Sequence, residues 1–233
     1  MQKFTYHSLA ELLTAAESCG VSLPHSADLS VLGTEKQIGT SHVRLKNRLT
    51  VHPMEGFDGN EDGSPGEWTM RRCERFATGG AGLIWLEATA VVEEGRTSAS
   101  QLWLHEGNTD AFKALAERMH ALSDGAPLIL QLTHSGRFSR PHNVPAPVIT
   151  YHNPLMNEKM MIDPDYPVVT DAYLDTLPEK FGHAAKLARD AGFDGVDIKC
   201  CHKYLFSELL SAYNRPGRYG GSLENRARLF LDS

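Results

Sequence analysis

The sequence predicts an α/β protein whose parallel strands are covered by helices. Three observations predict it. From Lys46 onward, short apolar runs alternate with helical patterns. The runs are apolar at nearly every position, as in strands buried on both faces. No GxGxxG follows the first run and no GxxxxGK[ST] follows any, so of the two architectures open to such a chain, the doubly wound sheet and the eight-fold barrel, the barrel is favoured.

The elements follow in order. Residues 1–45 hold one amphipathic stretch, Leu9 to Cys19, then a polar segment without sustained period, and form an expected N-terminal cap or arm. The first strand is Arg48 to Val51. A helix is expected from about Pro65, with Ser64 as cap and Glu67 completing a capping box, and Gly79 and Gly80 stop it. The second strand is Gly82 to Val91. The next helix, Thr109 to Leu122, carries Ala111, Phe112, Leu115, Ala116, Met119 and Leu122 on one face and ends at Gly125. Pro127 to Thr133 is the third strand. After a long Pro-, His- and Asn-containing loop, Thr176, Pro178 and Glu179 predict the start of a helix that stops at Gly192. The fourth strand is Gly195 to Cys200, and a last helix begins near Ser222.

Composition bounds the function. A chain of 233 residues with 41% hydrophobic residues and a net charge of −6 has enough apolar material for one large domain and too little charge imbalance for disorder. No run of eighteen apolar residues exists and the opening segment does not resemble a secretory signal, so a cytoplasmic protein without a membrane partner is expected. Cys19, Cys73, Cys200 and Cys201 have neither metal-ligand spacing nor the density of a disulfide framework, and reduced thiols are the expectation. Acidic residues outnumber basic ones, 29 to 23, which speaks against nucleic acid and for a small-molecule substrate.

Chemistry in either architecture gathers at the carboxyl ends of the strands. There the sequence delivers His52, Pro53, Met54 and Glu55, then Glu87, Ala88 and Thr89, then Gln131, His134 and Arg137, and last Lys199, His202, Lys203 and Tyr204. The last group is the densest in proton-transfer side chains. Plainer readings stand beside the functional ones. Gln131 could bond neighbouring backbone, His202 could be a solvated loop residue, and Tyr204 could simply pack. Lys199 ends a buried run, so its ammonium needs a partner, a cavity or an anionic ligand. Arg226 sits in a helix's first turn, where its charge opposes the dipole; it is aimed at an anion or acceptor, or pairs with Glu224 or another carboxylate.

Five blocks, KNRLTVHPM (46–54), GLIWLEATAVVEEGR (82–96), PLILQLTHSGRFS (127–139), AGFDGVDIKCCHKYLFSELLS (191–211) and NRPGRYGGSLENRARLF (214–230), resemble the Old Yellow Enzyme family in family order. These are flavin-dependent oxidoreductases that include ene-reductases and dienoyl-CoA reductases. The resemblance implies a TIM (β/α)8 barrel with FMN across its carboxyl-end mouth and NAD(P)H as reductant. Cofactor-binding positions carried over are Pro53, Met54, Glu55 and Ala88 beside the isoalloxazine, Gln131 on its pyrimidine edge, and Arg226 near N1. Lys199 and His202 would hold the substrate carbonyl and Tyr204 would protonate the α-carbon. The implied reaction is hydride transfer from NAD(P)H through flavin to an electron-poor alkene such as an enone or enoyl thioester.

Three positions depart from the family pattern. Lys199 stands for the first histidine and remains a cationic donor. Glu55 stands where Thr, Ser or Cys is usual, and an ion pair between Glu55 and Lys199 is expected to neutralise both. Lys203 replaces a glycine in the loop that presents Tyr204. Only four of eight strands are countable, so residues 46–233 are expected to form a partial barrel, about the first four β/α units, truncated after the fourth strand. The family's iron–sulfur cysteines lie beyond the matching blocks, which leaves that cofactor open. Open strand edges imply a homo-oligomer and give the alternative function, a catalytically silent half-barrel that associates or binds.

Overall fold

The computed structural model describes residues 4–233. The expected arm therefore begins, for structural purposes, at Phe4, and residues 1–3 lie outside the described residues. Helix α1 (Leu9–Ser18) is capped by Ser8, whose side chain accepts from the Glu11 N–H at 3.2 Å. A two-stranded hairpin follows, β1 (Lys36–Gln37) paired antiparallel with β2 (Arg44–Leu45). Leu45 is the one buried residue between 4 and 45. The arm thus adds almost nothing to the core.

The core sheet has four parallel strands in sequential order: β3 (Thr50–Val51), β4 (Leu83–Ala90), β5 (Leu128–Thr133) and β6 (Gly195–Ile198). Each lies inside its expected run and is shorter by one to two residues at an end. Helices α2 (Glu67–Thr78), α3 (Thr109–Leu122) and α5 (Asp171–Asp190) cover one face. Between β5 and α5 the long loop holds α4 (Pro154–Met160), and α6 (Leu205–Leu209) and α7 (Leu223–Asp232) follow β6. Ile84, Leu86, Leu128, Leu130 and Leu132 face the helices and are completely or almost completely buried. Leu83, Trp85, Ile129, Gln131, Asp197 and Lys199 alternate with that set and look to the other face. That second face is the inside of the partial barrel.

Helix α3 spans the expected residues, with Phe112, Leu115, Ala116 and Met119 buried. Two helix starts differ from expectation. Helix α2 is capped by Gly66, not Ser64: the Gly66 N–H donates to Thr69 Oγ1 at 3.2 Å, and Thr69 Oγ1 donates to the Asp58 carboxylate at 2.7 Å. Ser64 is drawn away because its N–H and hydroxyl both donate to Asp62 Oδ1, at 3.0 and 2.6 Å. Helix α5 begins at Asp171 under a Thr170 cap, and Pro178 lies inside it. A proline inside a helix costs about 3 kcal/mol. Leu174, Leu177, Phe181, Ala184 and Ala188 form a buried stripe across it, and each large side chain gains about 1.5–3 kcal/mol by burial, which outweighs the break. Thr176 merely donates to the Tyr173 carbonyl one turn back, at 2.7 Å.

Thr170→Ala should cost about 1 kcal/mol in urea unfolding because it removes the acceptor for the Tyr173 N–H. Thr176→Ala should leave the midpoint unchanged; the reverse ranking would restore the later helix start.

Candidate active site

The carboxyl ends of the strands are built into one site by three anchors. The first fixes the segment after β3. Gly56 N–H donates to Glu87 Oε2 at 2.7 Å, and the other Glu87 oxygen pairs with Arg72, which also forks onto Asp58 at 2.8 and 3.1 Å. Burial pushes the Glu87 carboxyl up, against the opposing pull of Arg72 and the Gly56 amide. Arg72 is pinned so close to Gly56 that a Cβ there would overlap its guanidinium. Glu55 is held at the mouth by this clamp.

The second anchor is the end of β4. The β4–β5 register shifts between Leu86 and Thr89, so Glu87 and Ala88 form a bulge. Ala88 is completely buried, and its carbonyl accepts from Gln101 Nε2 at 3.1 Å. The third anchor is the β5 loop. Leu205 N–H, at the start of α6, donates to the His134 carbonyl at 3.1 Å. Gly136, at φ 57°, passes so near that a Cβ would stand 2.8 Å from the Leu205 nitrogen. Arg137 pairs with Glu208 of α6, and Glu208 also accepts from the Thr150 N–H and hydroxyl, both at 2.9 Å. Tyr204, the residue that caps α6, is thereby fixed.

At the centre Lys199 Nζ donates to Glu55 Oε1 at 2.6 Å, so the expected ion pair is present. The ammonium also lies 4.5 Å from the centroid of the Tyr204 ring, and the Tyr204 hydroxyl is 3.4 Å from both Glu55 oxygens. Lys199 is only 4% exposed. Burial first, then the charge of Glu55 and its hydrogen bond, raise the phenol well above its ordinary value, and the facing hydroxyls of Thr97 and Ser135 oppose that rise. The phenol therefore keeps its proton. Thr97 Oγ1 and Ser135 Oγ are buried without a hydrogen-bond partner of ordinary geometry.

Gln131 lies on the same face, one strand away. Its Nε2 donates to Asp197 Oδ2 at 2.7 Å, not to backbone, which leaves Oε1 without a partner among the described residues. Neither His202 nor Arg226 hydrogen-bonds to Lys199, Glu55 or Gln131. His202 is exposed, with Nδ1 3.2 Å from Cys201 Sγ and its ring 6.2 Å from that of Tyr204. Arg226 is turned onto the carbonyls of Leu210 and Gly221, with its guanidinium 3.8 Å from the Tyr213 ring centroid. Backbone carbonyls supply the acceptors its helix position called for, and no hydrogen bond joins it to Gln131 or Lys199. Pro53 is half-buried, and Met54 is 70% exposed at the open rim.

The sequence reading missed the Glu87–Arg72–Asp58 clamp and Asp197. Both had a signal. Glu87 is a lone carboxylate in an apolar strand, which demands a cation, and Asp197 stands two residues before Lys199 and so shares its face.

His202 and Lys203 hold consecutive left-handed backbone conformations, φ 57° and 59°. The loop between Lys199 and Tyr204 thus carries strain at the position where glycine was expected. Behind it, His134 is completely buried. Gly136 N–H donates to its Nδ1 at 3.0 Å, so Nε2 carries the proton and donates to the Tyr173 hydroxyl at 2.8 Å, which donates to Glu94 at 3.1 Å. Burial lowers His134 to about 4.

The family described as NADH:flavin oxidoreductase / NADH oxidase matches residues 36–232. An NADPH dehydrogenase of Halalkalibacterium halodurans is 36% identical over 194 residues, covering 82% of this chain and 55% of that protein. One from Listeria monocytogenes is 34% identical over 195 residues, with coverage of 82% and 55%. The chain spans about half the length of these curated relatives. Among solved structures, the Old Yellow Enzyme from Pichia sp. AKU4542 superposes with a TM-score of 0.72 at 26% identity, over 87% of this chain and 54% of that one. A morphinone reductase mutant in complex with tetrahydroNAD gives 0.72 at 26% identity, over 86% and 58%.

Two outcomes test the geometry. Lys203→Gly should raise stability by about 1 kcal/mol in urea unfolding, because glycine relieves the left-handed strain; a loss would show that the lysine conformation is unstrained. Since the folded pKa of His134 lies below its unfolded value of 6.5, its contribution is complete above about 6.5 and is lost as pH falls towards 4. That contribution is about 3 kcal/mol, and His134→Gln should flatten the fall. An unchanged pH slope in the variant would place the acid sensitivity elsewhere.

Proposed function

The chain belongs to the NADH:flavin oxidoreductase / NADH oxidase family and carries part of its TIM-barrel fold, and we propose that it serves hydride transfer from NAD(P)H through FMN to an electron-poor alkene such as an enone or enoyl thioester. The observation that carries the substrate half of this reading is the convergence of Lys199 and Tyr204 at the end of β6, both buried and both touching Glu55.

The site suits the flavin. Gln131 offers a free amide oxygen to a ring N–H, and the unpartnered Trp85 Nε1 on the inner face and the Thr97 and Ser135 hydroxyls are buried polar atoms with capacity left over. In this reading Gln131 holds the pyrimidine edge, and backbone from Pro53 to Glu55 and around Ala88 borders the ring. Arg226, committed to Leu210 and Gly221, shapes the mouth through the segment it staples; a role near N1 requires its remaining N–H groups. FMN, when bound, supplies the hydride taken from NAD(P)H. Lys199 keeps two ammonium protons beyond the one given to Glu55, and these orient the substrate carbonyl and stabilise the negative charge that develops on its oxygen. His202, at the loop surface, is the second carbonyl donor and reaches it only by turning inward. The raised Tyr204 phenol delivers a proton to the α-carbon.

Two further features belong to the same reading. The chain acts in the cytoplasm, consistent with free cysteines at positions 19, 73, 200 and 201, and no described helix is long and apolar enough to cross a membrane. It works as a homo-oligomer, because Phe4, Leu9, Leu29 and Val31 leave the arm with exposed apolar side chains. In this reading residues 1–45 serve as an N-terminal arm and 46–233 as the flavin-facing unit.

Titration with FMN should perturb the blue and near-ultraviolet flavin bands, and Gln131→Met should weaken that binding about tenfold, the loss of one hydrogen bond to the ring. Tyr204→Phe should leave flavin binding and NADPH oxidation unchanged while slowing alkene reduction about a hundredfold, the scale of a lost general acid. Absence of any flavin perturbation, or equal loss in both half-reactions, would contradict the reading.

A further inference from the structure

Glu55 is the charged group that the reaction above does not use. Its carboxylate stands against the ammonium expected to receive a substrate oxygen, at 2.6 Å, and nothing else in the described residues bonds to that ammonium. We infer that Glu55 is a specificity-determining residue, which cancels the charge of Lys199 and so tunes the site to neutral carbonyl ligands and against phenolates and other oxyanions. The inference rests on the proposed function only in taking Lys199 as the carbonyl donor.

Charge balance at Lys199 sets this preference. An oxyanion brought to Lys199 gains the attraction of the ammonium but meets the Glu55 carboxylate at nearly the same distance, so little net attraction remains. A neutral carbonyl needs only an N–H, of which the ammonium has two to spare. The wider field points the same way. Asp197 shares the inner face with Lys199, held by Gln131. Beyond Gly56, Arg72 is matched by two carboxylates, Glu87 and Asp58. The remaining facing groups, the phenol of Tyr204 and the hydroxyls of Thr97 and Ser135, add no cation, and His202 is turned to solvent. Among Lys199, Arg72 and the carboxylates tied to this face, Glu55, Asp197, Glu87 and Asp58, two cations thus stand with four carboxylates. Glu55 is also no loose surface partner. The clamp on Gly56 fixes its backbone, and both its oxygens sit 3.4 Å from the Tyr204 hydroxyl, so it cannot leave Lys199 without disturbing the proton donor.

The probe is p-nitrophenol, which changes colour on ionisation and needs neither flavin nor turnover to report. Equilibrium dialysis gives its affinity, and difference absorbance gives the bound form. The chain should take up the neutral phenol, with affinity falling as pH rises past the probe's own pKa. Glu55→Gln should instead bind the phenolate about tenfold more tightly than the unaltered chain under alkaline conditions, on the order expected for one unbalanced charge in a partly screened site. The double variant Glu55→Gln/Lys199→Met should lose that gain, which also separates the charge effect from misfolding, since both residues are then neutral. Equal phenolate affinity in the unaltered chain and Glu55→Gln overturns the inference, as does a Glu55→Gln chain that binds both forms more weakly, the mark of a purely structural pair. A chain that binds FMN but fails this titration loses only the specificity role. A chain that passes it without binding FMN keeps the role of Glu55 and loses the flavin reading.

Discussion

The ion pair between Glu55 and Lys199 is the constraint around which the mouth of this half-barrel is organised. An ammonium at the end of a parallel strand, almost fully withdrawn from water, cannot stand alone. Its partner comes from the opposite edge of the four-stranded sheet, because β3 and β6 are the outermost strands. The contact therefore closes across the inner face. It needs Glu55 at a fixed height, and the clamp of Gly56, Glu87, Arg72 and Asp58 supplies that. It also needs the β6 loop to bring Tyr204 beside it, which the packing of Gly136 and Arg137 against α6 achieves.

Much of this was legible in the sequence. The alternation of apolar runs and helical stripes located all four core strands, and α3 was bounded to the residue because its stripe and its stop agree. The pairing of Glu55 with Lys199 could be anticipated once the family resemblance placed both at one site, where a carboxylate and a buried ammonium each call for a neutralising partner. What failed was local signalling overruled by tertiary contact. Ser64 and Thr176 read as caps, but Asp62 captured the first and the buried stripe through Leu174 and Leu177 carried helix past the second. Tertiary contacts also surround the positions carried over from the family resemblance. Arg226 gives two of its five N–H groups to backbone carbonyls that no motif records.

The loop between Lys199 and Tyr204 shows how departures from a family pattern are accommodated. Lys203 takes a left-handed conformation suited to glycine, and His202 shares it. The cost is local, and the neighbouring contacts that seat α6 are extensive enough to hold it. Thr97 and Ser135 near the same mouth, and Trp85 lower on the inner face, keep polar atoms buried without partners. Some backbone strain and some unspent hydrogen-bonding capacity thus lie on this side of the sheet, while Ile84, Leu86, Leu128, Leu130 and Leu132 keep the helix-facing side apolar.

The central claim, that Glu55 and Lys199 form one buried, mutually dependent unit, is tested most directly by a double-mutant cycle in urea unfolding. Each single change, Glu55→Gln and Lys199→Met, should cost about 3 kcal/mol because it strands a buried charge, and the double variant should cost no more than either alone, a coupling of about 3 kcal/mol. Additive effects, with the double variant near the sum of the singles, would contradict the account.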